Sequence, residues 1–136
     1  MEEIDKLRSF YSKAPVNRHF GFQLISRSAE GVTVSMEVLP DYLQEEGVVQ
    51  GGVISAIADN AAVNAFISDI DRGHLMTSIE FKMNFLRPAL AGQEPLIARS
   101  KVIRRGRNVG VSEVDVTQSG RLVAKGSFTY LFIDRD

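Results

Sequence analysis

The 136-residue chain has no cysteine and no tryptophan, only two histidines and only four prolines. Without cysteine there is no disulfide, no thiolate metal site and no thiol nucleophile, a composition that suits a reducing compartment. Neither His19 nor His74 has a ligand-type neighbour at metal spacing, so no metal centre is expected. No serine sits in a Gly-x-Ser-x-Gly elbow, and no glycine-rich phosphate loop of the nucleotide type occurs. A membrane span needs roughly 20 apolar residues. The richest stretch, Val53 to Ile67, is broken by Asp59, Asn60 and Asn64. The opening MEEIDKLRSF is charged and lacks the apolar run of a secretory leader. A net charge of −1 provides no basic excess for nucleic acid. These exclusions predict a cytoplasmic protein with neither nucleic acid nor membrane as a partner.

What is present is an ordinary globular balance, 44% hydrophobic and 24% charged, in a length that fits one domain over residues 1–136. Ile4, Leu7, Phe10 and Tyr11 have helical spacing, which predicts a short N-terminal helix over 2–13 that Pro15 ends. Residues 20–28 and 32–39 read as strands joined at Ala29-Glu30-Gly31, the second alternating Val32, Val34, Met36 and Val38 with polar residues. After a loop, a helix from about 52 to 68 is apolar nearly all round, which predicts burial on most sides. Period-two patterning then predicts strands at 76–87, 94–105, 108–118 and 121–133 in a meander, with glycine-bearing turns at Arg105–Asn108 and Gln118–Arg121. This order predicts an α+β arrangement, an antiparallel sheet wrapped around a long central helix. One sheet around one helix leaves edges unpaired, and strand 76–87 is the candidate for edge-to-edge pairing in a homodimer.

The densest chemical signal lies in QEEGVVQGGVISAIAD, residues 44–59. Gly51 and Gly52 stand at the mouth of the apolar helix, where N–H groups and the positive dipole end can hold an oxyanion. Asp59 is a carboxylate among apolar neighbours, costly unless used. Eight positions separate Gly51 from Asp59, about 12 Å of helix rise. Either the substrate spans that distance, or the Asp59 of one subunit faces Gly51 of the other. Gln44 and Gln50 flank the glycine turn with amides able to orient a carbonyl or a water. By simple alternation Thr77 points inward and Ser78 outward. Phe66, Phe81, Phe85 and Tyr42 are candidates to line an acyl pocket. Arg104-Arg105-Gly106-Arg107 is the densest anion-binding run, on a hairpin tip that otherwise reads as solvated.

With these residues assembled, the chain resembles the hot-dog-fold thioesterases, specifically the phenylacetate-pathway (PaaI-like) branch that acts on acyl-CoA. The resemblance spans roughly residues 14–133 and rests on Gly47–Asp59, Thr77–Ala89 and the ending GRLVAKGSFTY of residues 120–130. It implies hydrolysis of an acyl- or aryl-CoA thioester, with coenzyme A belonging to the substrate and no separate cofactor. It also implies a homodimer that often pairs into a homotetramer. In the roles it implies, the Gly51 N–H holds the thioester carbonyl and Asp59 of the facing subunit acts as base or nucleophile. Thr77 helps place water, and Gln44 orients the carbonyl or the water. Gln50, Gly52, Arg87, Arg105 and Arg107 would contact substrate. The family usually reads His-Gly-Gly where this chain has Gln50, and commonly asparagine where it has Gln44. A dehydratase of this fold needs a histidine near the central helix, and none lies between His19 and His74. A non-catalytic acyl-CoA-binding protein is the alternative, which retention of Asp59 disfavours.

Overall fold

The computed structural model describes residues 3–66 and 74–134. Helix α1 covers Glu3–Tyr11 and a second short helix, α2, covers Pro15–Phe20. Pro15 ends the first helix as its sequence position requires, and it also starts the second. Its fixed φ and missing N–H suit the first turn of a helix. Strands β1 (Gln23–Ser28) and β2 (Gly31–Met36) form an antiparallel hairpin. The following loop contains two single turns of tighter helix, Pro40–Tyr42 and Glu45–Gly47. Helix α3 runs Gly51–Asn64, and residues 67–68 of the expected helix lie outside the described residues. Strands β3 (His74–Phe85), β4 (Leu96–Arg105), β5 (Val109–Gln118) and β6 (Arg121–Asp134) complete the chain.

All six strands join one antiparallel sheet in the order β1-β2-β4-β5-β6-β3. The expected four-strand meander is therefore a three-strand one. β4, β5 and β6 are sequential neighbours, but β3 pairs with β6 at the far edge rather than with β4. Helix α3 sits between β2 and β3 in the chain, and its passage across the sheet delivers β3 to the opposite edge. The sheet wraps around α3 as the α+β expectation requires.

Burial follows the alternation of the strands. In β5, Gly110, Ser112, Val114, Val116 and Gln118 are buried and their neighbours are not. The core joins these to Val34, Met36, Leu96, Ala98 and Phe128 from the sheet and to Ile54, Ile57, Ala58, Ala61 and Ala62 from α3. Each large side chain so buried contributes roughly 1.5–3 kcal/mol of transfer free energy. The three alanines let the helix backbone approach the sheet closely. The helix is not buried on most sides, however. Val53, Ala56, Asp59 and Val63 remain half-buried, because within this chain only one face of α3 meets the sheet. A flank is held by the N-terminal helices through a buried polar network. Tyr11 Oη donates to Asn60 Oδ1, Asn60 Nδ2 donates to Asn17 Oδ1 at 2.8 Å, and Asn17 Nδ2 donates to the Tyr11 carbonyl at 2.7 Å. Burial pushes the Tyr11 phenol well above its ordinary pKa, so it stays a donor.

Candidate functional site

The loop ahead of α3 is pinned on both sides. The Val49 N–H donates to the Ala89 carbonyl at 2.9 Å, and the Gln50 N–H to the Tyr42 carbonyl at 2.9 Å. Glu46 (φ +61) and Gly47 (φ +71) adopt consecutive left-handed conformations that turn the chain back toward the helix. Between this loop and the end of β3 lies a cleft of about 360 Å³, lined by Gln44, Val48, Gly51, Ile54, Phe85 and Arg87 among others. The Phe85 ring passes 3.4 Å from where a side chain on Gly51 would begin. Gly51 and Gly52 occupy the first two helical positions, and their N–H groups find no acceptor among the described residues. Such donors, at the positive end of a 14-residue helix, suit an oxyanion.

Gln50 and Gly52 meet at the start of the helix. The Gln50 side chain folds back and its Oε1 accepts from the Val53 N–H at 3.1 Å, capping the helix. A Cβ on Gly52 would meet that oxygen at 2.7 Å, so glycine leaves room for the cap. Neither residue lines the cleft.

Asp59 sits two turns along α3, half-buried. Its Oδ1 accepts a 2.5 Å hydrogen bond from the Tyr130 hydroxyl of β6, which also lies 3.2 Å from the Asp59 carbonyl. Tyr130 is only 2% exposed. Burial, and next the neighbouring Asp59, push its phenol far above its ordinary pKa, so it remains protonated and donates. In the sequence Tyr130 closes the segment 120–130 and belongs to no chemical motif of its own. The available signal was its place on a buried strand position, where a tyrosine hydroxyl requires a partner.

A bulge reverses the expected facing of Thr77 and Ser78. The β3–β6 register shifts between Ser78 and Glu80, leaving Ile79 unpaired. Ser78 pairs with Tyr130 and Thr77 with Leu131. Opposed residues share a face, so Ser78 is the hydroxyl on the helix side, beside the Tyr130–Asp59 bond. Thr77 faces outward, and the expectation that it points at the helix is corrected. Past the bulge, Phe81, Met83 and Phe85 keep the inward facing expected of them through their pairing with Phe128, Gly126 and Ala124.

The arginines separate. Arg87 lines the Gly51 cleft and donates to the Leu122 carbonyl at 3.4 Å. Arg105 lies over the Phe66 ring at 5.3 Å, beyond the other end of α3, and Arg107 is exposed in the turn beyond it. One protomer thus brings Gln44, Gly51 and Arg87 together, but leaves Asp59 and Arg105 apart from them along the helix. Two of the aromatics expected at an acyl pocket are core residues instead. Tyr42 is buried with its hydroxyl donating to the Phe20 carbonyl at 2.9 Å, and Phe66 packs edge-on to Tyr130 and Phe132. Among the described residues no cluster of three or more His, Asp or Glu could hold a metal ion, and no helix is long and apolar enough to cross a membrane.

The model of the Thioesterase superfamily matches residues 46–125, from the loop before Gly51 into β6. The phenylacetic acid degradation protein PaaI of Thermus thermophilus, as a single-substitution variant, is 28% identical with a TM-score of 0.76, covering 87% of this chain and 98% of that one. A thioesterase from Haemophilus influenzae superimposes with a TM-score of 0.86 at 24% identity, covering 98% of this chain and 92% of the other. The PaaI protein of E. coli gives a TM-score of 0.83 at 23% identity over 96% and 92% of the two chains. The last two likenesses speak to the fold alone, and it is the hot-dog fold.

Proposed function

The chain belongs to the thioesterase superfamily, and from that premise we propose that it hydrolyses an acyl- or aryl-CoA thioester at a site shared between two subunits. The observation that carries this reading is the pairing of open Gly51 and Gly52 N–H donors with a pinned carboxylate, Asp59, about 12 Å further along the same helix. One carbonyl cannot reach both groups in one protomer, but β3 offers a way to join them. It is an edge strand of 12 residues, and its Ile79, Phe81 and Phe85 are about half exposed. Antiparallel pairing of β3 with its own copy runs the His74 end of one strand beside the Phe85 end of the other. Phe85 rests against Gly51, and Ser78 lies beside the Tyr130–Asp59 bond. The pairing therefore sets Asp59 of one subunit toward Gly51 of the partner subunit.

In that arrangement the thioester carbonyl lies against the Gly51 N–H, with the Gln44 amide nearby to orient it. Asp59 takes a proton from water held with the help of Ser78, in the role first expected of Thr77. The water oxygen bonds to the carbonyl carbon, and negative charge gathers on the oxygen facing Gly51. As the C–S bond breaks, the proton held by Asp59 passes to the departing sulfur, giving free acid and coenzyme A. No cofactor beyond the substrate's own coenzyme A takes part. Arg87 at the cleft, and Arg105 and Arg107 delivered from the partner's helix end, are placed to meet its phosphates.

The test is thiol release from a panel of acyl-CoAs by the wild type and by Asp59→Asn. Turnover is expected for the wild type, with a loss of about 10²-fold or more in the variant. No turnover on any acyl-CoA, or equal turnover in Asp59→Asn, would overturn the catalytic reading. Saturable acyl-CoA binding without turnover would mark a binding protein instead.

A further inference from the structure

The Tyr130–Asp59 bond joins the edge of the core to the carboxylate of the proposed site, and the surroundings of Tyr130 leave it little freedom. Gly110 lies opposite it on β5, and a Cβ there would meet the rings of Phe132 and Phe66 at 2.5 and 2.8 Å. Those rings fill the space that the glycine vacates. Phe66 in turn packs edge-on against Tyr130 with ring centroids 6.1 Å apart. The phenol is thus clamped between sheet and helix, with its hydroxyl aimed at Asp59 Oδ1.

We propose that Tyr130 is a positioning residue for catalysis, fixing Asp59 by its Oδ1 so that Oδ2 is held toward the reacting water. An inference of this kind rests on the thioesterase reading. A carboxylate on a half-buried helix face has rotamer freedom that must be lost before it can act in one geometry. A short, charge-assisted bond from a rigid donor removes that freedom before substrate arrives. The tyrosine could satisfy its hydroxyl on the Asp59 carbonyl alone, at 3.2 Å, yet it makes the shorter approach to the carboxylate. Among the described residues no hydrogen bond to Oδ2 is found, which leaves that oxygen for water. The buried phenol does not give up its proton in the working pH range, so the donor is permanent and takes no part in proton transfer.

The test compares kcat and KM of Tyr130→Phe and Ser112→Ala with the wild type on an acyl-CoA that it turns over. Ser112 is buried and its hydroxyl donates to the Ala62 carbonyl at 3.1 Å, so its loss loosens the same helix without touching Asp59. Tyr130→Phe is expected to lower kcat about tenfold or more with KM changed less than twofold, as misplacement of a catalytic group does. Ser112→Ala is expected to keep kcat within twofold. In an Asp59→Asn background, Tyr130→Phe should cause no further loss. The inference fails if folded Tyr130→Phe retains its kcat within twofold, or if Ser112→Ala loses as much. Should the phenylalanine variant not fold, 4-fluorophenylalanine at position 130 fills the space of the hydroxyl without donating a hydrogen bond. It should lower kcat about tenfold or more, as loss of positioning does, and an unchanged kcat would overturn the inference. A wild type inactive on every acyl-CoA fails the thioesterase reading first, whereas an active wild type with an indifferent Tyr130 fails this inference alone.

Discussion

Ser78 and Thr77 adjoin in sequence but stand on opposite faces of β3, and their hydroxyls are unequal for that reason. Ser78→Ala should reduce kcat/KM about tenfold or more through the loss of a water-placing hydroxyl, while Thr77→Ala should leave it within twofold. Steady-state thiol release on both variants checks this, and the reverse ranking would return the role to Thr77. Gly110 makes a sharper structural claim. Its Cβ space is taken by two aromatic rings, one of them the fully buried Phe66, so Gly110→Ala should cost about 1–3 kcal/mol by overpacking. Thermal or denaturant unfolding measures that cost. Asp59 and Gly51 were legible in the sequence because a carboxylate in an apolar helix and a glycine pair at its mouth are local anomalies. Tyr130 was not, because a tyrosine on an alternating strand does not say what its hydroxyl meets 71 positions away.

At the scale of elements, α3 draws its cap from Gln50, and its flank from Asn17 and Tyr11. Gln50→Ala should lower stability by about 0.5–1 kcal/mol, toward the lower part of what helix caps contribute. Its kcat/KM should stay within threefold, since the side chain does not line the cleft. A rise of tenfold or more in KM would instead return Gln50 to the substrate-binding set. Helices α1 and α3 and the strands followed from spacing, with boundaries moved by at most four residues. The second helix at Pro15 was hidden because the same proline both ends one helix and suits the start of another. The hairpins β1–β2, β4–β5 and β5–β6 were legible because short glycine-bearing turns join sequential strands. The placement of β3 beside β6 was not, since nothing in its own residues says which neighbour it will have after α3 crosses the sheet.

The whole molecule ends at an edge strand whose inner side chains, Phe81 and Phe85, are half exposed and lie on the same face as the helix. If two copies join there, a charge on that edge separates them. Ile79→Lys should shift the protein toward monomer in sedimentation and remove activity together with dimerisation, although neither Asp59 nor Gly51 is altered. A monomeric variant with full kcat would show that one subunit holds the whole site. Sequence alone determined most of the elements and the α+β class, and it singled out Gly51 and Asp59 as candidates, because each rests on contacts within a few residues or on the period of a single segment. It also set the separation of Gly51 from Asp59, which follows from helix rise. Only the tertiary structure decided which hydroxyl of β3 meets the helix, what holds Asp59, and which strand lies beside β3. One unpaired residue, Ile79, turns a strand over, and its bulge belongs to the pairing of β3 with β6 rather than to either sequence by itself.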